Sequence, residues 1–217
     1  AYRKRLRAWI PPRGSSHKAR RPQVVFFMQP RTVPDVMKNL GVFLDALGDT
    51  GVPVDFSVRL HPADADGAFL AAVCLPDGSP VRVRPARGPV EPLLGQADLV
   101  VTMFSSVGLD HNYLQRYSRR QLGSLLYLTV GRPVRRFMRE LIGVTAVPGA
   151  EEGMGAQFSS PRGLVDWLQA ALTTRDERRQ YARNVRQALG GTVSPTDQIA
   201  TFLERIHLNG SEQRNRS

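Results

Sequence analysis

Apolar residues run unbroken from Val24 to Met28, the pattern of a strand covered on both faces. The next segment changes period. Val36, Leu40, Phe43, Leu44 and Leu47 recur at helical spacing, and Gly48 or Gly51 is placed to end that helix. The alternation then repeats. VDFSVRL (54–60) reads as a second strand, DGAFLAAVCL (66–75) as a short helix, PVRVRPA (80–86) as a third strand and PVEPLLGQA (89–97) as a helical turn. DLVVTMF (98–104) is a fourth strand and SSVGLDHNYLQRY (105–117) a helix. SLLYLTV (124–130) is a fifth strand, and VTAV (144–147) a sixth. Helical stretches at 161–172, 175–189 and 196–207 follow. The last has Ile199, Phe202, Leu203 and Ile206 on one face and starts after Ser194-Pro195.

Strands that alternate with helices form a parallel sheet with helices on both faces. Right-handed crossovers then give a Rossmann-like, doubly wound α/β domain of about five or six strands. Three segments are expected: a basic linker or arm over 1–22, the Rossmann-like domain over 23–210, and a disordered tail over 211–217. Residues 11–22 (PPRGSSHKARRP) lack apolar periodicity, which fits the first of these.

Composition excludes several classes. The chain has 217 residues, 41% hydrophobic and 23% charged, as in ordinary globular domains. Cys74 is the single cysteine, so no internal disulfide forms. No apolar run reaches the roughly 20 residues of a membrane span. The arginines near the N-terminus have no apolar segment behind them, unlike a signal peptide. Net charge is +11, concentrated at one end: Arg3, Lys4, Arg5, Arg7, Arg13, Lys18, Arg20 and Arg21 have no acid among them. That arm, with Trp9 and Ile10, suits an anionic membrane surface or nucleic acid. The rest of the chain lacks a basic, aromatic-interleaved face, which disfavours nucleic acid.

In an open α/β sheet, ligands bind beyond the carboxyl ends of the strands, near the switch in strand order. Gln29-Pro30-Arg31 follows the first strand, His61-Pro62 the second, Pro85-Ala86-Arg87 the third and Ser105-Ser106 the fourth. With a 3-2-1-4-5 order, the first, second and fourth pairs converge on one crevice. If Ser105 or Ser106 caps the following helix, its free N–H groups and dipole suit a phosphate, and two hydroxyls add donors. The plainer reading is one capping serine and one bystander. Pro62 keeps His61 out of the helical region, so the imidazole stands on an extended corner and can donate to a phosphate oxygen. Gln29 can hydrogen-bond a ligand and Arg31 can pair with a phosphate. Asp110 is an acid favoured by the helix dipole, or a ligand contact. Glu151 and Glu152 stand in a glycine-flanked loop. GxGxxG and GxxxxGK[ST] are both absent, and no His/Cys/Asp/Glu cluster has metal-ligand spacing, so no metal or bound cofactor is expected.

Together, VVFFMQP, VDFSVRLHPAD, ADLVVTMFSSVGLD and SPTDQIATFLERI resemble the C-terminal, donor-binding half of GT-B glycosyltransferases. The likeness is to bacterial capsule and surface-polysaccharide enzymes: polysialyl- and sialyltransferases with HP and SS motifs, capsule Kdo transferases with QP and HP motifs, and glycerophosphotransferases that use CDP-glycerol. By that resemblance His61, the catalytic candidate, and Pro62 contact the donor phosphate, and Ser105 and Ser106 hold it. The donor is a CMP-, CDP- or UDP-linked sugar or polyol, and the acceptor a glycan or lipid-linked glycan. The same resemblance implies an acceptor domain upstream and an enzyme expected in the cytoplasm, peripheral to the inner face of the membrane. The sequence departs from the pattern in two places. Arg31, Thr32 and Val33, rather than an asparagine, follow the QP pair, and Glu151-Glu152-Gly153 is misplaced for an acidic base motif. The alternatives are a sugar-nucleotide epimerase-like GT-B protein and a basic-arm nucleic-acid-binding protein.

Overall fold

The structure is a computed structural model that describes residues 20–64, 81–118 and 120–190. Its strands are β1 (Gln23–Phe27), β2 (Val54–Arg59), β3 (Val81–Pro85), β4 (Leu99–Thr102), β5 (Ser124–Leu128) and β6 (Ala156–Phe158). Its helices are α1 (Val36–Asp49), α2 (Val90–Gln96), α3 (Val107–Tyr117), α4 (Arg132–Ile142), α5 (Leu164–Thr173) and α6 (Asp176–Ala188). The sheet order is β3-β2-β1-β4-β5-β6, and every pairing is parallel. The expected 3-2-1-4-5 order holds, with one strand more at the β5 edge.

β1, β4 and β5 are buried almost throughout, as their apolar runs require of strands with helices on both faces. Phe26, Phe43 and Phe56 form a contiguous aromatic contact between β1, α1 and β2. α1 packs on α5, while α3 packs on α2 and α6. Right-handed crossovers to strands on opposite sides of β1 place α1 and α3 on opposite faces. α1 runs on to Asp49 and is closed by Thr50, and Gly51 follows with a φ of 66° in the left-handed region that glycine tolerates.

One expectation on the β5 side fails. VTAV (144–147) is not a strand. The sixth strand is Ala156–Phe158, and it pairs with Leu126–Leu128 of β5. The reason is register: Gly143 ends α4 at a φ of 74°, and the chain needs the following loop to return to the edge of β5. Between β5 and that loop, a segment to which the sequence pattern assigned no element forms the helix α4. The helix expected over 66–75, the one over 196–207, Cys74, His17, His207, the tail over 211–217 and most of the basic arm lie outside the described residues. Arg20, the first described residue, pairs with the buried Asp98 at the start of β4, 2.9 Å away. Arg178 of α6 pairs with the same carboxylate, also at 2.9 Å. The Gln23 N–H donates to it as well. The arm's end is thus held at the amino end of the sheet, opposite the strand tips that carry the candidate site. Among the described residues, no helix is long and apolar enough to cross a membrane.

Candidate functional site

The candidate site is built by three consecutive strands, β2-β1-β4, whose carboxyl ends present His61, Gln29 and Ser105-Ser106. Neighbouring strands lie about 4.8 Å apart, so the backbones behind His61 and Ser105 are separated by roughly 10 Å, with β1 between them. That is a gap two side chains can close around one small anionic group.

Pro62 to Asp64 form one turn of 3-10 helix, and the Asp64 N–H donates to the His61 carbonyl. His61 is half-buried. Its Nδ1 accepts the Ala63 N–H at 3.2 Å. An occupied Nδ1 leaves the proton of the neutral ring on Nε2, which becomes the donor of the imidazole. The turn is tied to the β1 loop, because Asp64 accepts the Arg31 N–H at 2.7 Å and pairs with its guanidinium at 3.4 Å. Arg31 is therefore engaged with a carboxylate in this structure, and its backbone couples the two loops. Gln29 is buried to 8% exposure at the end of β1.

The serines divide the work. Ser106 is the N-cap residue of α3 but makes no side-chain capping bond. Ser105 does the local work: its Oγ accepts the Val107 N–H at 3.3 Å and its carbonyl accepts the Gly108 N–H at 3.0 Å. The exposed Ser106 hydroxyl is thus not spent on the turn, and it stands where the helix dipole is positive. Gly108 is required for this corner. A Cβ there would run into the Tyr127 phenol of β5, so the absent side chain lets the start of α3 lie against the sheet. Asp110, in the first turn of α3, is pushed up from its ordinary carboxylate range, mainly by desolvation and secondly by Glu91. The Glu91 contribution places it toward α2, along the flank of α3.

Sequence reasoning missed the far wall. Asn39 of α1 is fully buried, and its amide accepts the Val130 N–H at 2.8 Å and donates to the Val130 carbonyl at 3.0 Å. Asp35 precedes α1 at a φ of 61°, unusual for a residue with a side chain. Its carboxylate accepts the Val134 N–H at 3.2 Å, capping α4 from another loop. Gly131 allows this approach, because a Cβ there would strike that carboxylate. The loops after β1 and β5 are thereby stitched together. Phe137 of α4 meets Phe104, the residue before the serines, with ring centroids 6.1 Å apart. The signal for α4 was present: Val134, Phe137, Met138 and Leu141 are spaced as a helix, Pro133 opens it and Gly143 closes it.

The most perturbed titratable groups sit away from the crevice. His111 is fully buried in α3, with Nε2 2.9 Å from the Gly123 carbonyl, and its ring stacks on Tyr181 at 5.6 Å and 7°. Burial lowers its pKa to about 4. The Tyr181 hydroxyl donates to Asn112 at 2.8 Å, and burial raises the pKa values of Tyr127 and Tyr181. This cluster holds α3, α6 and β5 together. Among the described residues, no group of His, Cys, Asp and Glu is arranged to hold a metal ion.

No protein-family model matches the chain, and a search of curated proteins returns no match. Solved structures do match. The wall teichoic acid polymerase TagF aligns with 98% of this chain and 48% of its own at 16% identity, with a TM-score of 0.52. A trehalose-6-phosphate synthase, from work on bisubstrate glycomimetics and glycosyl transfer with retention, aligns with 97% of this chain and 50% of its own at 9% identity, with a TM-score of 0.54. The glycosyltransferase SnogD from Streptomyces nogalater aligns with 93% of this chain and 46% of its own at 17% identity, with a TM-score of 0.50. The class this defines is the Rossmann-like α/β fold of one GT-B half, with its six-stranded parallel sheet. The chain spans about half the length of the structures it matches.

Proposed function

We propose that this chain is the donor-binding half of a glycosyltransferase. It holds a nucleotide-activated sugar or polyol, CMP-, CDP- or UDP-linked, whose phosphates sit among His61, Gln29, Ser105 and Ser106. The observation that carries this reading is the strand order. It brings an imidazole donor, a strand-end amide and a hydroxyl at a helix N-terminus to adjacent tips of one sheet edge. The solved neighbours support it through their fold.

The chemistry follows from where charge develops. Transfer of a sugar breaks the bond between the sugar and the phosphate, and transfer of a polyol phosphate breaks the bond between the two phosphates; in both, the electron pair leaves with the nucleotide, where negative charge grows. Donors fixed in advance at that place lower the barrier, because they need not reorganise as the charge appears. The His61 Nε2–H, the Ser106 hydroxyl and the start of α3 are such donors. Pro62 fixes the corner from which His61 acts. Arg31, once released from Asp64, can add a guanidinium, and Asp110 stands in the first turn of α3. The acceptor is a glycan or lipid-linked glycan of a bacterial capsule or surface polymer, bound by an N-terminal domain of the full enzyme. Transfer then takes place at the cytoplasmic face of the membrane.

Thermal unfolding with CMP, CDP and UDP tests the reading. A cytidine or uridine nucleotide should raise the melting temperature, since a ligand that binds only the folded state stabilises it. His61→Ala should weaken binding about 10- to 100-fold, the cost of a hydrogen bond to a charged group. Ser106→Ala should weaken it less. If none of the pyrimidine nucleotides protects the wild-type chain, the proposal is wrong.

A further inference from the structure

We propose that α4 is a docking helix for an anionic lipid surface. At 100° per residue, Arg132, Arg135, Arg136 and Arg139 fall within an arc of about 100°. The opposite side carries Val134, Phe137, Met138 and Leu141. Val134 and Met138 are buried and anchor the helix. The arginine side is turned outward: Arg132, Arg136 and Arg139 are exposed and Arg135 is half-buried. Arg136 pairs with Glu140 at 2.8 Å, but both side chains are largely in solvent, and such a pair contributes little. No other acid lies on this helix.

The lack of an exposed aromatic on α4 favours a leaflet over single-stranded nucleic acid. The large hydrophobic side chains left exposed among the described residues are Leu141, at 60%, and Met37, at 44%. Leu141 ends α4. Met37 lies two residues from Asp35, whose carboxylate caps α4, and the exposed Lys38 is beside it. Both apolar side chains and the cations thus belong to two helices joined at their N-termini. A cluster of four arginines on one side of an amphipathic helix suits anionic headgroups. Single-stranded nucleic acid would want exposed aromatic platforms instead, and the aromatic on this helix, Phe137, is turned against Phe104. That contact sets α4 beside Ser105-Ser106, with the arginines on the side of the helix turned away from it. The inference does not depend on the donor proposal.

Flotation of the full chain with vesicles tests it, using phosphatidylcholine alone and an equimolar mixture with phosphatidylglycerol. The chain should float with the anionic vesicles and not with the neutral ones. The R132Q/R136Q/R139Q variant should bind the anionic vesicles about a hundredfold more weakly, from about fivefold per arginine. The corresponding Arg→Lys variant should bind as wild type does, which also verifies that the surface tolerates substitution. Adding the three Arg→Gln substitutions to a chain whose Arg3, Lys4, Arg5, Arg7, Arg13 and Lys18 are all replaced by Gln should give the same drop, separating α4 from the basic arm. Wild-type vesicle binding by the Gln variant would overturn the proposal, as would equal losses in the Lys and Gln variants. So would complete loss of binding on neutralising the arm alone. A Gln variant that loses an RNA oligonucleotide but keeps the vesicles would assign the face to nucleic acid instead.

Discussion

His111 and His61 show how differently one residue type behaves at two depths. His61 stands on a corner held by Pro62, with Nδ1 tied to Ala63 and the ring half-buried. His111 lies flat on Tyr181 within the core, and desolvation holds its pKa near 4, below the ordinary 6.5. A histidine that is harder to protonate folded than unfolded leaves stability untouched above about pH 6.5. Below that, the unfolded chain takes up the proton first, so stability falls as pH drops from 6.5 toward 4. The loss should reach about 3 kcal/mol near the lower limit. Urea midpoints measured across this range should show it in the wild type, with a flatter profile in His111→Gln. Identical pH profiles in the two proteins would remove His111 from the account. The serine pair shows a finer division at one corner. The sequence raises the question of why there are two hydroxyls, and the structure answers it in part: Ser105 closes the turn, which leaves Ser106 outward at the start of α3.

Among the elements, α4 is the instructive one. Its apolar positions are at helical spacing, but they are outnumbered by arginines, so a reading that follows hydrophobic runs from strand to strand passes over it. VTAV draws attention instead because it is apolar and β-branched, yet β-propensity counts only where a partner edge is within reach. Gln157 of β6 shows where the edge was taken: it reaches back to accept the Val147 N–H at 2.7 Å, fastening the loop that VTAV became. The element-scale prediction concerns the clasp between α1 and the β5 loop. Asn39→Leu preserves size but leaves the Val130 N–H and carbonyl buried without their partners, at about 1–3 kcal/mol each. Chemical denaturation should therefore show a loss of about 2–5 kcal/mol. A loss under about 0.5 kcal/mol, within the scatter of ordinary surface substitutions, would show the clasp to be dispensable.

At the scale of the molecule, the sheet has two ends with opposite roles. The carboxyl end carries the candidate site. At the amino end, Asp98, at 3% exposure, joins Arg20, the Gln23 N–H and Arg178 of α6. Arg178 is itself mostly buried, so removing the carboxylate takes away its counter-ion in a place poor in water. Asp98→Ala should cost about 3–5 kcal/mol, and calorimetry should show a single lowered transition. A melting temperature within a degree or so of wild type would mean that solvent screens the cluster. The amino-acid sequence by itself determined the class of fold, because apolar runs of strand length alternating with helical periods admit a parallel sheet and little else. It also determined the chemistry available at the strand tips, since the residue after a strand is fixed by where the apolar run stops. The tertiary structure decided what is non-local: the edge that β6 occupies, the carboxylate of Asp35 capping a helix 99 positions away, and the pairing of Arg31 with Asp64. The physical reason is that periodicity records whether a side chain faces the core, whereas a polar group's partner is chosen by chain segments meeting in space, which no local pattern encodes.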